Sequence, residues 1–163
     1  MKIRHAAIFL ALPLLCTTAQ ANSFLHYAGE FNFRTGEKQN NVTIAGLSAI
    51  TFDAKKNIFY AINDSRNNNK EGDASLYTLK IQVSSRGIEQ VNFLNQRPLL
   101  DAKQQPFVTN TVDAEGLALT HNGKSLLWSS ELGAPLRLST LDGVMEKDFT
   151  SLFPARFNIS SDK

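Results

Sequence analysis

GLSAITFDAKKNIFYAINDSR, residues 46–66, and GLALTHNGKSLLWSSE, residues 116–131, are two versions of one unit. Each opens with Gly-Leu and a short apolar strand, passes a turn, continues as an apolar strand carrying an aromatic residue (Tyr60, Trp128), and ends in an acid (Asp64, Glu131). A self-similar unit of this length that reads as strand, turn, strand marks a repeat architecture. A four-stranded propeller blade hides its faces only against neighbouring blades, so Gly and small residues recur where the innermost strands crowd the axis. The repeat therefore predicts an all-β chain with a partial β-propeller-like arrangement of four-stranded antiparallel blades. A β-sandwich would also give short strands between turns; the equivalent acids at equivalent strand ends favour the propeller.

Working outward, no segment downstream of the N-terminus sustains a 3.6-residue apolar period, whereas runs rich in Ile, Val, Phe, Tyr and Thr recur between turn residues. The pattern predicts strands over 24–33, 46–52, 58–63, 75–82, 89–95, 116–121, 125–130, 135–140 and 143–149. Asn122-Gly123 and Asp142-Gly143 separate adjacent strands and are dipeptides of tight hairpins.

The first 21 residues read as a signal peptide: Lys2 and Arg4, an uncharged apolar run over 6–15, then Ala19-Gln20-Ala21 ahead of polar Asn22 and Ser23. The apolar run is too short to span a bilayer. Cleavage after Ala21 is expected, leaving residues 22–163 as one domain in the periplasm or the medium. A lipid anchor on Cys16 is disfavoured because Leu15, where lipoprotein processing requires a small side chain, precedes it. Cys16 is the chain's one cysteine, so the exported domain has no disulfide. With Lys2 and Arg4 removed, the 17 basic and 15 acidic residues of the whole chain become an even balance, which points to neither nucleic acid nor an acidic membrane surface as partner. His26 and His121 have no second His or Cys at ligand spacing, which argues against zinc.

The segments GLSAITFD at Gly46, YAINDSR at Tyr60, DAEGLAL at Asp113, WSSELGAP at Trp128 and PARF at Pro154 resemble, in matching order, the bacterial phytase-like family, also described as having esterase-like activity of phytase. The resemblance implies an exported propeller-like domain acting on a phosphate ester or another ester. Family domains are longer and continue past the PARF region with further acid-bearing repeats. About two blades are legible here, against the four to eight that close a ring. The expectation is thus an N-terminal part of such a domain, with 24–33 belonging to a last blade; a missing C-terminal half, a partner chain or self-association would complete it, and the alternative is a small compact variant.

The chemistry this implies lies in acids at strand ends, Asp64, Asp73, Asp113, Glu115 and Glu131, with Asn63 and Arg66 beside the first. Carboxylates are hard oxygen ligands that suit calcium, and an arginine fork suits phosphate. The expected metal set is Asp64, Asp113, Glu115 and Glu131, with Arg66 on the substrate phosphate. The competing reading is a non-catalytic propeller fragment or binding module, in which Asp64 and Asn63 open a turn, Asp113 and Glu115 line a loop, and Arg66 pairs with a surface acid. The polar loop over 63–73 lacks the D-x-D-x-D-G spacing of an EF-hand and reads as solvated and mobile. Ser48 and Ser130 lie outside any G-x-S-x-G, so nothing supports a serine nucleophile.

Overall fold

The computed structural model describes residues 27, 29–34, 36–39, 42–44, 46–68 and 72–157. The expected leader and cleavage site, and His26, lie outside the described residues. A small hairpin, β1 (Lys38–Gln39) with β2 (Val42–Thr43), comes first. Two antiparallel meanders follow: β3 (Leu47–Asp53), β4 (Ile58–Asn63), β5 (Ser75–Ser84) and β6 (Gly87–Pro98), then β7 (Ala114–Leu119), β8 (Ser125–Ser130), β9 (Leu136–Thr140) and β10 (Met145–Asp148). Within each meander every strand pairs with its neighbours in sequence, as in a blade. The two sheets lie alongside each other through their first strands, β3 against β7, and Leu119 N–H donates to Thr51 Oγ1 at 3.3 Å across that seam. This is the placement of neighbouring blades at a propeller axis. The described residues form no closed ring.

The core follows from strand alternation. In β4, Tyr60 and Ile62 point to one face and pair laterally with Thr78 and Leu76. That face packs on the second sheet in one cluster with Ala74, Leu99, Val112, Ala114, Leu126 and Trp128. Trp128 is 1% exposed and satisfies its indole N–H on Ser139 Oγ at 2.8 Å. The alternate residues Phe59 and Ala61 join Tyr77, Leu79 and Phe93 on the outer face of the first sheet. Phe33 lies on this outer face, its ring 5.3 Å from that of Phe93.

Two sequence expectations change here. Residues 27 and 29–34 carry no strand, so over its described part the predicted first strand is an irregular segment whose Phe31 and Phe33 lie against the first sheet. A strand needs a ladder of backbone partners, and this segment is held by aromatic contacts instead. The loop after β4, read as solvated and mobile, is pinned over its described part. Asn67 Nδ2 donates to Phe107 O at 2.8 Å, Asn67 Oδ1 accepts from Ala74 N–H at 2.6 Å, and Asn110 N–H donates to Arg66 O at 2.8 Å. Its asparagines act as backbone surrogates, which composition alone reads as solubility.

Truncating the residue that joins the two sheets should be expensive. Trp128→Ala is expected to cost about 3–5 kcal/mol, measured by denaturant unfolding. Leu152→Ala, at a side chain 73% exposed, should stay within about 0.5 kcal/mol of wild type.

A carboxylate cluster where the two sheets meet

Backbone pairing places the acids before any side chain is considered. In the first sheet Leu47 pairs with Asn63 and, after a register shift, Ala49 pairs with Ile62. In the second, Ala114 pairs with Ser130 and, after the same shift, Gly116 pairs with Ser129. Asp64 N–H donates to Gly46 O and Glu131 N–H donates to Asp113 O, both at 2.9 Å. Asp64 and Glu131 are therefore structural equivalents, as the repeat suggests. The Gly-Leu match, however, is out of step by one short segment: Gly46 corresponds to Asp113, and Gly116 to Ala49. Each β3- and β7-type strand carries a bulge, a device that re-aims a side chain. In the second sheet the bulged residue is Glu115, whose counterpart is Ser48.

That bulge gathers Asp113, Glu115 and Glu131, so that one ligand oxygen from each lies within 4.8 Å of the others. Asp64 stands close enough for its charge to act on Glu115. Its carboxylate fills the space where a Cβ on Gly46 would sit, and Gly46 has φ +57°. A side chain there would collide with Asp64, so the glycine gives the first sheet's acid its room.

Asp113 is 1% exposed. Arg66 Nε and Nη2 both donate to its Oδ2, at 2.9 and 2.7 Å. Its backbone N–H donates to Ser130 Oγ at 3.0 Å. Oδ1 is buried with no hydrogen-bond partner in the protein. A desolvated carboxylate oxygen is costly to leave unpaired. Glu115 and Glu131 are exposed. Partial burial pushes the Glu115 carboxyl above the usual carboxylate range, and the charges of Asp113, Glu131 and Asp64 push it further, with Arg66 opposing. An orphaned buried oxygen, two exposed carboxylates around it and an all-oxygen donor set suit a hard divalent cation such as calcium.

The remaining expected residues sort cleanly. Asn63 is buried and structural: its amide donates to Ser65 Oγ at 2.9 Å and to Asp73 O at 3.2 Å, and its Oδ1 accepts from Ser75 N–H at 2.6 Å. Asp73 contributes its main-chain carbonyl to that clamp and is not one of the clustered acids. Arg66 spends two donors on Asp113, so its recorded role is that of counter-charge to a cluster acid. His121 is exposed beside the Asn122-Gly123 turn. Ser130 Oγ donates to Leu132 O at 2.7 Å, in the turn after Glu131. Sequence reasoning passed over Arg137, buried behind that same turn; an arginine in mid-strand opposite Trp128 was the available signal.

Residues 42–163 match the model of a family described as phytase-like, esterase-like activity of phytase. No curated protein and no solved structure matches the chain.

The raised Glu115 carboxyl gives a signed test. The fold disfavours its charged form, so its contribution to stability falls as pH rises from the ordinary glutamate value through the raised one. In chelator, Glu115→Gln should melt higher than wild type at pH 7, and the gap should close as pH falls below about 4. A Glu115→Gln melting point below wild type at pH 7 would contradict the like-charge crowding.

Proposed function

The chain belongs to the phytase-like family, and from that premise we propose that it is an exported, metal-assisted hydrolase of phosphoric or related esters. A hydrolase-type function goes with the family; the metal, the ester class and export are the further steps of this reading. The observation that carries it is the buried, unpartnered Asp113 Oδ1 beside Glu115 and Glu131. Asp113, Glu115 and Glu131 would hold the cation, calcium by donor type, with Asp64 adding charge at the rim. A cation so held supplies charge neutralisation for an anionic ester and Lewis-acid polarisation.

The chain's own residues do the rest. Arg66 holds the Asp113 carboxylate turned, at 2.7 Å, and its side chain is 43% exposed beside the cluster, where its charge can attract a phosphate. Glu115, exposed beside the buried Asp113, is placed to accept a proton from a water or to give one to a leaving oxygen. The uneven charge, four carboxylates against one arginine, would repel an anionic ester until a cation is bound.

One observation favours a second reading. Arg66 pairs with Asp113, a buried acid in place of the expected surface one, and such an ion pair suits a binding module whose acids support loops.

Hydrolysis of p-nitrophenyl phosphate and of p-nitrophenyl acetate, followed with calcium and with chelator, separates the two. The hydrolase reading expects calcium-dependent turnover that falls at least about tenfold in Asp113→Asn and in Glu131→Gln. Chelator-resistant turnover, or full activity in both variants, would remove the metal-assisted step. Calcium binding without turnover of either ester would leave the binding module. Export has its own check: mass spectrometry of the secreted or periplasmic protein should give Asn22 as the first residue, and a lipid on Cys16 would overturn it.

A further inference from the structure

Arg137 is 4% exposed and no carboxylate pairs with it among the described residues. Burial pulls its guanidinium down to about 10, with Asp148 acting in the opposite direction. Its charge rests on two aromatic faces, 4.9 Å from the Trp128 ring centre and 5.2 Å from that of Phe107. Its donors go to three main-chain carbonyls: Ala134 O at 2.7 Å, Thr111 O at 3.3 Å and Leu132 O at 3.4 Å. Where stability alone is served, an apolar side chain of similar volume does as well as a buried charge.

The identity of those carbonyls matters. Thr111 stands two residues before Asp113, and Leu132 follows Glu131 directly. One planar fork therefore holds the approach to one cluster acid and the exit from another. Gly133 shows how closely the turn is fitted: a Cβ there would come within 2.8 Å of Arg137 Nη2 and 2.6 Å of Thr111 O. The other ties between the two segments, Glu131 N–H to Asp113 O and Asp113 N–H to Ser130 Oγ, fix the main chain at the acids themselves. Arg137 fixes the chain on either side.

We propose that Arg137 is a positioning residue for the carboxylate cluster, setting the separation of Asp113 and Glu131 by clamping the carbonyls of Thr111, Leu132 and Ala134. The inference rests on the cation-site reading above. Lysine keeps the charge on a single ammonium, whereas here Nη1 reaches Ala134 O while Nη2 reaches Thr111 O and Leu132 O, so lysine cannot reproduce all three contacts.

The test is calcium titration by calorimetry on the wild-type chain, Arg137→Met, Arg137→Lys, Glu131→Gln and the Arg137→Met/Glu131→Gln double variant, with circular-dichroism melts in chelator. Arg137→Met and Arg137→Lys should both remain folded at the titration temperature and lose about tenfold in calcium affinity, the loss typical of groups that orient ligands. On the Glu131→Gln background the same change should cost less than about threefold, because Arg137 acts through Glu131. Wild-type affinity in Arg137→Lys, or an undiminished loss on the Glu131→Gln background, would overturn the proposal. Failure of both single variants to fold would make Arg137 a folding residue and overturn it too. A wild-type chain that takes up no calcium would instead overturn the cation site on which the inference stands.

Discussion

Burying a carboxylate must be compensated, and the meeting point of the two sheets is organised around compensating Asp113. Arg66 reaches it from the loop after β4, Ser130 accepts its main-chain N–H, and Glu131 bonds its carbonyl. These contacts join the loop after β4, the start of β7 and the end of β8. Removing the carboxylate would take a partner from Arg66 and keep the two main-chain bonds, whereas removing only Arg66 would leave a buried charge uncompensated. An acid whose ion pair served stability alone could be replaced, together with its partner, by apolar side chains of similar size at little cost. The orphaned Oδ1 is what separates Asp113 from such a residue, since it faces the penalty without receiving a partner from the protein.

The two sheets obtain similar strand ends by different means. In the second, a bulge turns Glu115 towards Asp113. In the first, the same bulge carries Ser48, and the position of Asp113 is taken by Gly46, against which the Asp64 carboxylate lies. The repeat is thus one backbone with two chemistries, and the acids concentrate in the second copy. The hydrophobic layer beneath is what lets the difference stand. Tyr60, Ile62, Leu126 and Trp128 fix the sheets by packing, so the strand ends need not.

Much of this was legible in the sequence because strand alternation and hairpin dipeptides are local signals. The strands around Tyr60 and Trp128, the Asn122-Gly123 and Asp142-Gly143 turns and the equivalence of Asp64 with Glu131 could all be read from residues close together in the chain. Non-local facts could not. The register of the repeat was misread because Gly-Leu recurs at Gly46 and Gly116, and the bulges that shift the true equivalence leave no mark in composition. The pairing of Arg66 with Asp113 leaves no local mark because the two lie 47 residues apart. Asp73 looked like another site acid, yet its part is a carbonyl in the Asn63 clamp. Arg137 was invisible as a site residue because its partners are carbonyls, which no side-chain pattern announces.

The central claim is that the orphaned oxygen of Asp113 belongs to a cation site completed by Glu115 and Glu131. Anomalous diffraction from crystals grown with a lanthanide in place of calcium tests it directly. The account predicts one strong peak within about 2.3–2.6 Å of an oxygen of each of the three acids, lost in Asp113→Asn crystals. A peak elsewhere, or none while the three carboxylates stay clustered, would contradict it.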